Sequence, residues 1–339
     1  MYESKKSERQ RKYLAEALIL SEIFSLIQSS LNIFNYEISY ISSILFLSAS
    51  AIIMVTGTVH AKILYAGIIL AIIVIIKISI QGVDQHYVKA LLLIALIPYY
   101  ALVAKKTDFQ SIEEAAKKYK YMLIIIGCTY LWLWFLYGGY RNASTIFLAL
   151  ILFIISGEKK RNAIMWLAAA VMKTQYIIWV AITYIIVKFP FSKFSSLALL
   201  VLGISTAVGP LYIDSALVQA LGFNASQVSS MDERLNEIRV FSYIMTSDIY
   251  NVIFGWVPGY SLELSDTSER GYMHNAPLWI TGSLGLPLSV LLYVYIATRN
   301  IKTMRFFAIK SFGILANTFT FLLLTNPLIT ILLFTNEKK

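Results

Sequence analysis

Apolar runs of roughly bilayer-crossing length alternate with short polar turns along most of this chain. A helix rises about 1.5 Å per residue, so roughly 20 apolar residues cross the ~30 Å hydrocarbon layer. On that measure the first span is 13–33, and spans near 39–57, 62–80 and 88–104 follow. Glu16 and Glu22 lie in the first span, which predicts that it faces other helices or lies partly at the interface. Asn35-Tyr36-Glu37 and the stretch from Gln81 to His86 make outer turns. The stretch from Lys105 to Lys120 is polar and basic, and its helical pattern over 111–118 fits a cytoplasmic interfacial helix. A fifth span, 121–138, carries Tyr130, Trp132, Trp134 and Tyr137 toward its outer end, as an aromatic belt would. The turn from Gly138 to Asn142 then exposes Arg141, and a sixth span, 143–157, returns to Lys159-Lys160-Arg161.

Residues 163–187 admit two readings. A single span would leave Lys188 and Lys193 outside and the later polar stretch in the cytoplasm. A break at Lys173-Thr174-Gln175 into two half-helices keeps both lysines inside, and a polar break is tolerated where it faces protein or water. The second reading keeps the positive-inside pattern consistent and is preferred. A span at 195–213 leads out to the one long polar segment, 214–275. It runs from Asp214 to His274-Asn275 and contains Asp232-Glu233-Arg234, Glu237, Arg239, the glycine turn Gly255 to Tyr260, and Glu269-Arg270. A span at 276–297 returns to Arg299, Lys302, Arg305 and Lys310; 311–325 crosses again, and a short segment follows Asn326-Pro327. The expected fold is therefore all-α, a polytopic bundle of about 10–12 membrane segments with one large extracytoplasmic loop. It divides into an N-terminal region, 1–120, and a C-terminal region, 121–339, that carries the loop.

Composition fixes the class. With 58% hydrophobic residues, 14% charged residues and a positive mean hydropathy, the chain has too little polar surface to cover a soluble globule. The net charge of +10 comes from short clusters between apolar runs, so topology accounts for it rather than nucleic acid. Cys128 is the single cysteine, which excludes an intrachain disulfide and a cysteine-rich metal site. The apolar stretch after Lys12 is too long for a cleavable signal peptide.

Chemistry concentrates in 214–275. His60 and His86 sit in turns beside spans, where a solvated imidazole is the ordinary case. His274 lies where the polar segment re-enters the membrane, and its neutral imidazole is placed to take a proton from a hydroxyl; the plainer alternative is a cap on the helix starting at Ala276. Arg141, Arg234, Arg239 and Arg270 are all on the outer side, and guanidinium groups grip phosphate oxygens in pairs. Pairing with Asp232, Glu233, Glu237 and Glu269 is the competing explanation, strongest for Arg270. Asp214 or Asp232-Glu233 could hold a divalent cation, although adjacent carboxylates point apart. Lys173 and Gln175 are intramembrane polar groups that mark either a helix break or a site.

Three stretches carry a family resemblance. Arg141-Asn142-Ala143-Ser144 follows an aromatic span and opens an apolar one. The run from Arg234 to Arg239 precedes a glycine turn, Ile253 to Tyr260. His274-Asn275 is followed by Leu278, Gly285 and a long apolar run. Together they resemble the O-antigen ligase/polymerase superfamily of bacterial membrane glycosyltransferases, over roughly Tyr121 to the C-terminus. Ile238 stands where that family commonly has tryptophan, and Leu288 replaces a second glycine.

The resemblance implies a metal-independent transferase without cofactors, acting on undecaprenyl-pyrophosphate-linked glycan as donor and acceptor in the bacterial inner membrane. Arg141, Arg234 and Arg239 would hold the pyrophosphate, and His274 would deprotonate the acceptor hydroxyl. Polymerisation of repeat units is the first reading. Ligation of finished glycan to lipid A core or protein uses the same residues. A non-catalytic flippase is the rival from another class, and the absence of an internal repeat weighs against it. Membrane lipids, a flippase and a chain-length regulator are the expected partners, and nucleic acid is not.

Overall fold

The computed structural model describes residues 2–32, 41–55, 96–137, 225–255, 262–263, 269–270, 276–297, 309–310 and 327–335. The spans expected at 62–80, 143–157, 163–187, 195–213 and 311–325 lie outside the described residues. What is described is all-α, apart from one two-residue ladder.

Helix α1, Tyr2–Asn32, is the hub of the N-terminal region. It packs against α2 (Ile41–Val55), α3 (Ile97–Lys106), α4 (Phe109–Lys118) and α5 (Lys120–Tyr137). Leu14, Leu18, Ile19, Ile23 and Leu26 are buried on it, a stripe at three- and four-residue spacing. Glu22 lies on the same helix and is only 1% exposed, as expected for a span that faces other helices. The helix extends eleven residues further toward the N-terminus than the expected start at 13, and within that extension Gln10 and Arg11 have partners on other elements.

The partner of Arg11 is the residue that opens α4. Asp108 is buried and caps α4, accepting the Ser111 N–H at 2.9 Å through Oδ1. Its Oδ2 accepts Arg11 Nη1 at 2.7 Å, so one carboxylate starts a helix and ties it to α1. Lys118 Nζ donates to Glu16 Oε1 at 2.9 Å across the same interface. That hydrogen bond holds the Lys118 ammonium above the ordinary lysine value of 10.5. A raised folded-state value adds stability that is fully present below about pH 10.5 and fades as the pH climbs past the raised value. The α4 helix starts two residues before the expected 111, at its Asp108 cap. Its apolar face, Phe109, Ile112, Ala115 and Ala116, is buried against protein. It is covered by α1 and not by lipid alone.

Gln10 Nε2 donates to Ile53 O at 3.0 Å, satisfying a carbonyl in the last turn of α2. Ser50 and Tyr99 hydroxyls meet at 2.6 Å, and Phe46 stacks on Tyr100 with centroids 6.4 Å apart. Among the described residues, α5 is the one helix long and apolar enough to cross a membrane. Ile125, Trp132, Phe135, Leu136 and Tyr137 on it are exposed, whereas Tyr130 is buried and takes no part in an aromatic belt.

The C-terminal region corrects two expectations. The polar segment is not a loop throughout: α6 (Ala225–Ser247) and α7 (Ile249–Phe254) occupy much of it. A short antiparallel ladder follows, β1 (Leu262–Glu263) with β2 (Glu269–Arg270), in which Leu262 is opposite Arg270 and Glu263 opposite Glu269. The expected span 276–297 is two helices, α8 (Ala276–Leu284) and α9 (Leu286–Ala297), divided at Gly285 with φ of 78°. They fold back on each other. Tyr293 Oη donates to Pro277 O and Ser289 Oγ to Ile280 O, pairs that a straight helix would hold many ångströms apart. At about 1.5 Å per residue the halves measure only about 14 and 18 Å, too short to cross the hydrocarbon alone.

Helix α10, Pro327–Phe334, is buried along its whole length and packs against α1, α3 and α9. Its Phe334 ring lies 5.8 Å from Tyr295. Lys310, expected as a cytoplasmic loop charge, is 1% exposed and donates from Nζ to Ile296 O at 2.7 Å. It caps α9, where a cation also meets the negative end of the helix dipole.

Two outcomes follow. Asp108→Ala removes a cap and leaves Arg11 without its carboxylate, so thermal unfolding in detergent should show a loss of about 1–3 kcal/mol; an unchanged melting profile would contradict the tie between α1 and α4. In a Cys128→Ser background, cysteines replacing Ser247 and Asn300 should react with a membrane-impermeant maleimide from the same side. Labelling from opposite sides would mean that 276–297 straightens into a crossing helix.

Candidate functional site

Of the polar segment singled out by sequence, α6, α7 and the short ladder are described, and α6 and α7 meet at a corner. Asp248 caps α7 by accepting the Tyr250 N–H at 2.9 Å through Oδ1. Asn251 Nδ2 reaches back to Ile244 O at 2.9 Å and satisfies a carbonyl in the last turn of α6. The two helices therefore meet at a fixed corner. Residues Glu237, Ile238 and Met245 form the buried side of α6, and its neighbours are α7 and α8.

Helix α7 ends at Gly255, with φ of 71°. A Cβ there would lie 2.3 Å from Gly282 O and 2.7 Å from Gly285 N. A Cβ on Gly285 would lie 2.1 Å from Ile253 O and 2.9 Å from Gly255 N. A side chain on either glycine would thus overlap backbone at or beside the other, and both have left-handed backbone angles. This is a backbone-to-backbone clasp. It joins the end of α7 to the tip of the α8–α9 hairpin and fixes where the segment 256–275 begins, at the C-terminal end of α8. Gly255 and Gly285 belong to separate sequence motifs, and their mutual contact is not legible there.

The candidate chemical residues are placed unevenly. Arg234 and Arg239 both lie on α6, five positions apart, so they stand about 140° apart around its axis. Arg239 is exposed, and no salt bridge joins it to any of the described residues. Glu237, proposed as a neutralising partner, is buried and lies about 160° away around the helix. Local ion pairing with Glu237 therefore does not account for Arg239. Asp232 and Glu233 share α6, and Arg270 with Glu269 forms β2. Arg141, Asp214 and His274 lie outside the described residues. Among the described residues no group of three or more metal-ligating side chains gathers.

Chemically, the arrangement offers a guanidinium that the described residues leave without a salt bridge, on a helix joined at a fixed corner to α7. Such a group attracts a phosphate or carboxylate oxygen. The clasp supplies rigidity that a polar segment lacks on its own. Gly255→Ala and Gly285→Ala should each destabilise the fold by about 2 kcal/mol or more, from left-handed strain plus overlap with backbone that cannot swing aside. Limited proteolysis should then cut within 256–275 faster than in the parent protein, and parent-like resistance in both variants would argue against the clasp.

No family model, no curated protein and no solved structure matches the chain.

Proposed function

We propose that this protein is a multi-pass membrane glycosyltransferase that joins undecaprenyl-pyrophosphate-linked oligosaccharide repeat units at the outer face of the bacterial inner membrane. The single observation that carries the reading is Arg239, an exposed guanidinium with no ion pair to a described residue, on a helix held at both corner and exit. The outward apolar face of α5 supports membrane residence. The rest comes from the three stretches around Arg141, Arg234 to Arg239, and His274, and from their resemblance to the O-antigen ligase/polymerase superfamily.

In this mechanism the neutral His274 imidazole takes the proton of an acceptor sugar hydroxyl as that oxygen attacks the donor's anomeric carbon. The new glycosidic C–O bond forms while the bond to the pyrophosphate oxygen breaks. Both electrons of the broken bond leave with the lipid pyrophosphate, and Arg141, Arg234 and Arg239 stabilise the charge that develops on it. Protonated pyrophosphate is not required, because the arginines lower the energy of the anion directly. Transfer of one finished glycan to lipid A core or protein would use the same steps with another acceptor.

Complementation of a polymerase-deficient strain carrying the matching glycan locus tests the reading. The parent protein should restore a ladder of surface glycan. Arg239→Ala and Arg234→Ala should cut polymerisation by roughly 10²-fold, the usual cost of one charge-stabilising donor. His274→Ala should reduce it by 10²-fold or more. Single-repeat bands should persist in each variant present at parental membrane levels. Loss of single-repeat bands too would favour ligation or translocation, and a normal ladder from His274→Ala would remove the base assignment.

A further inference from the structure

Helix α7 has an unusual division for a piece of a polar segment. Ile249, Tyr250, Ile253 and Phe254 are all exposed, and none of its six residues is buried. At 100° per residue these four fall within an arc of about 140°, and Asn251 and Val252 take the other side. That other side is half-buried, with Asn251 held by Ile244 O. The Tyr250 and Phe254 rings lie 4.9 Å apart, forming one apolar ridge. Tyr243, one turn before the end of α6, is also exposed at 75%.

The ridge has a neighbour of the same character. Helix α7 packs on α8 and α9, and α9 exposes Leu286, Leu288, Val290, Leu291 and Val294. Neither α7 nor α9 contains a charged residue. The nearest charges in sequence are Asp248, just before α7, and Arg299, just after α9. Two touching helices with exposed, uncharged ridges bounded by charges match the chemistry of acyl chains below a headgroup layer. In water the same surface would be a large exposed apolar patch.

We propose that α7 is a lipid-embedded anchor of the polar segment, its ridge seated among phospholipid acyl chains beside α9. The proposal rests on the membrane reading given above. Anchoring there holds the end of α6, and with it Arg239, at the membrane surface, where an anionic lipid-linked group would arrive. Asp248, exposed and turned to the Tyr250 N–H, marks the level at which the chain enters lipid.

The test uses nitroxide labels in a Cys128→Ser background, with the full chain in vesicles made only of phospholipid. Reporters are Ile253→Cys on the ridge, Leu291→Cys on α9 and Ser247→Cys above Asp248; Phe254→Cys replaces the first if it fails to accumulate. Collision rates with oxygen, which concentrates in lipid, are compared with those of a water-soluble nickel chelate. The expected result is a several-fold higher oxygen-to-nickel ratio at 253 and 291 than at 247. Because these vesicles hold no prenyl carrier, that result assigns the ridge to ordinary acyl chains. Nickel access at 253 with oxygen exposure at 291 overturns the anchor and leaves the membrane reading intact. Shielding of 253 from both reagents means that protein, such as a second copy of the chain, covers the ridge, and this also overturns it. Nickel access at 291 removes the membrane reading and the anchor together.

Discussion

A helix end leaves backbone carbonyls or amides that something must satisfy, and this constraint shapes several of the described junctions of the chain. Gln10 reaches the last turn of α2 at Ile53, and Asn251 reaches the last turn of α6 at Ile244. Lys310 closes α9 at Ile296, and Asp108 and Asp248 open α4 and α7. In an interior with little water an unmet group costs a few kcal/mol, so these side chains decide which helices meet and where. Asp108 shows the coupling most directly, since the carboxylate that begins α4 also holds Arg11 of α1.

The same accounting explains why the C-terminal region bends. A glycine at 285 lets α8 and α9 fold back, and the hydroxyls of Ser289 and Tyr293 then donate to carbonyls of α8. Gly255 fits against that bend only because neither glycine carries a Cβ. The clasp in turn fixes α7, and the Asn251 bond fixes α6 relative to α7. The position of Arg239 therefore depends on a chain of backbone contacts rather than on side-chain packing alone. It is a rigid mount for a cation that the described residues leave uncompensated.

Much of the fold class and of the site's composition could be read from residue order. The length and apolarity of Lys120–Tyr137, the burial of Glu22 against other helices as one of its two expected settings, and a helix within 105–120 all follow from periodicity and charge. The run from Arg234 to Arg239 and the glycine turn were legible as motifs. Less was legible of their arrangement. Nothing in the order of residues says that Lys310 is spent inside the fold on a carbonyl fourteen residues away. Nothing there says that Tyr130 turns inward while Trp132 stays out.

Sequence by itself determined that this is a helical chain with long apolar runs, one long polar segment and a set of arginine candidates. These are sums over residues, fixed by transfer free energy and by helix period. Only tertiary structure decided that 276–297 is a hairpin, that Gly255 and Gly285 touch, and that α7 presents an apolar ridge from within polar surroundings. The reason is physical: an apolar run has the same hydropathy straight or folded back. Which form it takes depends on whether distant backbone and hydroxyl groups can satisfy each other at the bend.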